Sequence, residues 1–97
     1  MQKSLLAAVL GLAFVAGCSQ YGKVETDADG TTETVIKMAD VPQVITFAFN
    51  KEHPRVTPTT VKKEVYKDGT VHYEFSWLDA DKKEVEVEYS STGEKLD

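Results

Sequence analysis

The sequence predicts an α+β domain, one amphipathic helix packed on a three- to four-stranded antiparallel β-meander. Three observations predict it. In Val71 to Leu78, reading V-H-Y-E-F-S-W-L, apolar Val71, Tyr73, Phe75 and Trp77 alternate with polar His72, Glu74 and Ser76, the period of a half-buried strand. In Val41, Val44, Ile45, Ala48 and Phe49, apolar residues recur at helical spacing, with Gln43, Thr46 and Asn50 on the other side. From Lys83 to Tyr89, after a turn at Asp79-Ala80-Asp81, Val85, Val87 and Tyr89 alternate with Glu84, Glu86 and Glu88. Three of the chain's nine Phe, Trp and Tyr residues fall on one face of the Val71 to Leu78 segment, so the core is expected against that face.

The chain opens with Met1-Gln2-Lys3 and an apolar run of 12 residues from Leu5 to Ala16, the pattern of a secretory signal. A bilayer-spanning helix needs about 20 apolar residues, so a permanent membrane span is the weaker reading. The run ends in Val15-Ala16-Gly17-Cys18.

These four residues resemble the lipobox of bacterial lipoproteins, in which small residues precede a Cys that is lipidated before cleavage on its amino side. The resemblance implies a signal peptide over residues 1–17 and a mature chain that starts at Cys18 with a lipid on its sulfur. An ordinary signal with an unmodified Cys beside the cut is the alternative. An exported domain with a single Cys holds no internal disulfide, and a lipidated sulfur accounts for that residue. Ser19 follows where inner-membrane retention uses Asp, so the resemblance points to the outer membrane, facing the periplasm. Stable anchoring takes more than one acyl chain.

Removing residues 1–17 takes away one charge, Lys3, leaving 10 basic against 16 acidic side chains, a formal net of −6. Nucleic acid is not expected as a partner at that balance, since a phosphate footprint needs clustered Lys and Arg. The remaining 80 residues suffice for one small core.

Residues 18–39 read as a lipid-anchored tether, in which Asp29-Gly30 between β-prone segments signals a short hairpin. Asp27, Asp29 and Glu33 lack the further ligands of a calcium loop, and a turn is the expectation. The folded domain is placed at residues 40–97. Asp40 is the expected N-cap with Pro42 in the first turn, and His53-Pro54 the expected stop, with His53 against the helix's negative end rather than on a metal.

A three-residue loop at Lys67-Asp68-Gly69 places Val65 opposite Val71, Lys63 opposite Tyr73 and Val61 opposite Phe75, all on the odd-numbered side. A two-residue loop would expose Val61 and Val65 on the other face. On the even side Lys62 then meets Glu74, and Glu64 meets His72. A two-residue turn at Thr92-Gly93 would set Leu96 opposite Tyr89 in a short last strand.

The string from Val41-Pro42 through Ala48-Phe49 to His53-Pro54, then Tyr73-Glu74-Phe75, Val85-Glu86-Val87 and Gly93, resembles the PepSY-like domains, which share the β-lactamase-inhibitor-protein type of fold. The motifs are a loose pattern of helix, Pro and alternating strands, and His53 stands where the family commonly has Tyr. The resemblance implies a small exported binding or inhibitory module without chemistry of its own, which in β-lactamase inhibitor proteins grips its partner with the open sheet face.

That face is the even one, with Lys62, Glu64, Tyr66, His72, Glu74, Glu84, Glu86 and Glu88 as expected partner-binding residues. Its excess of carboxylates suits a basic patch on an envelope protein, and a solvated sheet surface is the plainer reading. One His among flexible carboxylates is a poor transition-metal set, so neither metal nor cofactor is expected. Cys18 is unavailable as a nucleophile and no Ser lies in a nucleophile motif, so no enzymatic activity is expected. The functional expectation is a membrane-anchored protein-binding or inhibitory module; the alternative is a structural accessory subunit of an outer-membrane assembly.

Overall fold

Four hairpins of the sheet are closed by the same local device, a three-residue loop whose last residue has positive φ. The computed structural model describes residues 21–96; the signal-peptide and lipid-attachment expectations at residues 1–17 and Cys18 lie outside the described residues. Strand β1, Val24–Thr26, turns into β2, Thr32–Ile36; β3, Thr60–Val65, into β4, Val71–Leu78; β4 into β5, Glu84–Ser90; and β5 into β6, Lys95–Leu96. In each loop the residue before it donates its N–H across to the residue after it: Asp27 to Thr31, Tyr66 to Thr70, Asp79 to Lys83 and Ser90 to Glu94, at 2.7 to 2.9 Å. Each also accepts from the loop's third residue, Gly30, Gly69, Lys82 or Gly93, at 2.8 to 3.0 Å. That third position requires the left-handed region, which Gly enters freely and a residue with a Cβ does not. Lys82, at φ 63°, takes the conformation that Gly69 takes at 91°.

Asp68 and Asp29 accept the N–H groups of Thr70 and Thr31 at 2.9 and 3.0 Å, while Asp79 Oδ1 and Ser90 Oγ each accept two loop amides. Short polar side chains thus occupy positions that favour tight turns over continued strand.

The strands form one antiparallel sheet of six in sequence order, two or three more than the sequence suggested. The addition is the hairpin β1–β2, whose second strand pairs with β3 through Glu33 opposite Glu64 and Ile36 opposite Val61. The segment assigned to the tether therefore contributes two strands to the sheet. Between β2 and β3 the chain makes a 3₁₀ turn, Met38–Asp40, and the helix α1, Gln43–Glu52. Pro42 is the N-cap, and Asp40 ends the 3₁₀ turn instead of capping the helix. Pro42 has a fixed φ suited to helix entry and its carbonyl accepts from Ile45 at 2.9 Å. His53 is the C-cap as expected, its N–H donating to Phe49 O at 2.8 Å.

The helix lies on the inner face of the sheet. Ile45 and Phe49 are fully buried against Phe75 and Tyr89, with Val41, Val61 and Tyr73 completing the core. Phe49 stacks on Phe75 at 4.4 Å between ring centroids and meets Trp77 edge-on at 5.6 Å. Tyr89 Oη donates to Glu52 Oε1 at 2.8 Å, tying the helix C-terminus to β5. The expected register of β3 and β4 is found, with Val65 opposite Val71, Lys63 opposite Tyr73 and Val61 opposite Phe75.

Two expectations are corrected on this side. Val44 is 50% exposed, because the buried stripe narrows to Val41, Ile45 and Phe49. The β5–β6 turn is the three-residue kind, so Lys95 and not Leu96 stands opposite Tyr89. The extra loop residue lets Gly93 occupy the positive-φ position, and it moves Leu96 to the outer face beside Glu88. Among the described residues, no helix is long and apolar enough to cross a membrane.

Candidate functional site

The outer face is built by the polar half of the alternation. Directly opposite partners run Glu25, Glu33, Glu64, His72 and Ser90 across β1 to β5. The next row runs Val35, Lys62, Glu74, Glu88 and Leu96 from β2 to β6, and beyond it Thr60, Ser76 and Glu86. No described element lies over this face as the helix lies over the other.

Within it the expected partner-binding residues separate into two groups. Glu84 and Glu86 are exposed, at the end of β5 nearest the Lys82 loop. Glu64 is only 8% exposed, and Lys62, Tyr66, His72, Glu74 and Glu88 are half-buried around it. His72 stands opposite Glu64 in register, yet its ion-pair partner is Glu88, with Nδ1 2.7 Å from Oε2. The Tyr66 hydroxyl donates to the same oxygen at 3.4 Å, and its ring meets the His72 ring edge-on at 4.7 Å. Lys62 likewise leaves its cross-strand neighbour Glu74 and bonds Glu33 Oε1 at 3.3 Å. Diagonal neighbours outcompete direct ones because long side chains reach past the pair they sit in.

The crowding of carboxylates moves their protonation. Burial pushes Glu64 up to about 7, and the charges of Glu88, Glu74 and Glu33 add to the shift. Burial carries Tyr66 up to about 12, with Glu64 and Glu88 acting in the same direction. Glu74 is raised by burial and then by Glu86. For Lys62, burial alone favours the neutral amine, but the bond to Glu33 with the charges of Glu33, Glu74 and Glu25 turns the net shift upward. The assembly is an anionic surface with a partly dry centre, suited to cations and basic groups.

Glu25 and Glu33 belong to this face and were missed, because residues 18–39 read as tether. The signal was available in Thr32 to Ile36, where β-branched residues surround Glu33 just after Asp29-Gly30. Phe47, 71% exposed, was also missed; with Val44 at i−3 it makes an apolar patch on the outer side of the helix.

Neither a family model, nor a curated protein, nor a solved structure matches this chain.

Proposed function

We propose that the chain is an envelope lipoprotein, held through Cys18 at the periplasmic side of the outer membrane, whose PepSY-like domain binds or inhibits a protein and performs no chemistry of its own. The observation that carries this reading is the outer sheet face, where carboxylates from five strands adjoin and no described element covers them. A surface of this kind favours a partner with a basic patch, steers it from a distance, and loses that steering with salt, since exposed charges are screened over about 8 Å at physiological ionic strength.

The exposed Phe47 and Val44 favour a second reading, a structural accessory subunit whose helix is also covered in an assembly. Crosslinking in intact cells, followed by capture through the full chain, tests both. Reversing exposed Glu84 and Glu86 together to Lys should abolish capture with the melting transition nearly unchanged. Undiminished capture by that variant would remove the outer face from the reading. Loss of capture by Phe47→Glu, with co-purification in fixed proportion to membrane proteins, would select the accessory subunit.

A further inference from the structure

The carboxylates of Glu64 and Glu88 and a ring nitrogen of His72 each place a donor atom within 4.8 Å of the other two. A cluster of acids on a sheet face is commonplace. What distinguishes this one is Glu64, which is 8% exposed and whose Oε1 is buried with no hydrogen-bond partner. A buried carboxylate oxygen without a donor is costly to leave so, and its neighbours do not relieve it. Directly opposite on β2 stands Glu33, another anion, and the nearest Lys on that side, Lys62, has its Nζ on Glu33 at 3.3 Å. Tyr66 directs its hydroxyl to Glu88 and not to Glu64 Oε1.

From this geometry we infer that Glu64, His72 and Glu88 form a binding site for a divalent transition cation of the Zn²⁺ class. The donor set decides the class. One imidazole nitrogen with two carboxylate oxygens suits a borderline metal, whereas calcium and magnesium take oxygen ligands throughout. Zn²⁺ also binds more tightly than Mn²⁺ at a given mixed site. Bonds of about 2.0 to 2.2 Å require the His72–Glu88 hydrogen bond to open around the ion and the wider separations to close, which rotation of Glu88 and His72, both half-buried side chains, permits. Flexible carboxylates argue against a metal on such a face, but burial holds Glu64 in place and β3, β4 and β5 supply one ligand each from paired strands. Three protein ligands leave a coordination position open to water or to a donor from another molecule. The site stands independently of the protein-binding reading, because it uses the buried centre of the face and not exposed Glu84 and Glu86.

Isothermal titration of the full chain in detergent with Zn²⁺ tests the site, with Cys18 alkylated if it is not lipidated, so that no free thiol competes. One Zn²⁺ per chain is expected, together with a higher melting temperature that EDTA reverses and that equimolar Mg²⁺ does not produce. Glu64→Gln, which keeps the side-chain shape, and His72→Ala should each weaken binding by about tenfold or more, while His53→Ala leaves it unchanged. Nuclear magnetic resonance of the imidazole protons should show the His72 ring, and not His53, shifting at one equivalent. Absence of binding at millimolar Zn²⁺, or binding undiminished in both Glu64→Gln and His72→Ala, would overturn the site. Failure of the Glu84 and Glu86 reversal to affect protein capture bears only on the partner reading.

Discussion

The two faces of this sheet are cut from the same strands and obey the same alternation, yet they are stabilised in opposite ways. On the inner face Phe49, Phe75 and Tyr89 are buried among rings and need no directional partner beyond the Tyr89 hydroxyl on Glu52. On the outer face Glu64 is nearly as withdrawn from solvent as Val61 or Tyr73, but what surrounds it is charge. Apolar burial is non-directional and tolerates small errors of position, whereas a buried carboxylate depends on which donors are within reach. A strand can therefore supply stability with one side and recognition chemistry with the other.

The contrast is sharpest for Phe75→Ala. Removing that ring, which stacks on Phe49, should lower stability by about 3 to 5 kcal/mol, read by denaturant titration, a large fraction of what so small a domain possesses. A loss under about 1 kcal/mol would show that the helix and not the sheet holds the inner face together.

Next in size is Gly93→Ala. A Cβ at Gly93 would lie 3.0 Å from the Val44 carbonyl oxygen, and the backbone there has φ +89°. The substitution should cost about 2 to 3 kcal/mol by thermal melting, because strain and contact add. Gly69, with open space around it at φ +91°, should lose only about 1 kcal/mol on the same change.

The outer face should reveal itself through pH. In metal-free protein, Glu64 keeps its proton up to about 7 when folded but only to about 4.5 when unfolded. Between those values the folded chain holds more protons, so stability is full below about pH 4.5 and falls as pH rises through about 7. The decline should be on the order of 2 kcal/mol in denaturant titrations with EDTA, and Glu64→Gln should flatten most of it, Glu74 supplying the remainder. A stability that rises across this window would mean that the Glu64 charge is well solvated.

Smaller still, Lys82→Gly should raise stability by about 1 kcal/mol, since Lys82 alone fills with a side chain the left-handed position that Gly fills in the other three hairpins. Unchanged melting would place the relaxation in the unfolded chain, where Gly adds entropy. Smallest of all, Glu86→Ala should change stability by less than about 0.5 kcal/mol, being an exposed substitution. A larger loss would show that the rim of the outer face is tied into its centre.

Much of this architecture was legible from local pattern. The alternation of Val61, Val65, Tyr73, Phe75, Val85, Val87 and Tyr89 determines facing in β3 to β5, and the Gly at position 69 determines the register of β3 on β4, because side-chain direction has period two and a left-handed loop residue counts the turn. The helix and its stop at His53 were likewise legible. The Asp40 cap and the turn at Gly93 were not, since in each case competing local geometries satisfy the same residues and neighbouring structure chooses between them.

What only the tertiary structure decided is how the outer face is composed. The sequence by itself determined that Glu64, His72 and Glu88 point the same way, as the period of a strand requires. It did not determine that β1 and β2 extend the sheet past β3, setting Glu33 beside Glu64, nor that Glu88 takes the His72 ring and leaves Glu64 Oε1 without a donor. Those outcomes depend on which strands lie side by side and how far each side chain reaches across them. Facing is a property of one strand, and burial of a polar atom is a property of its neighbours.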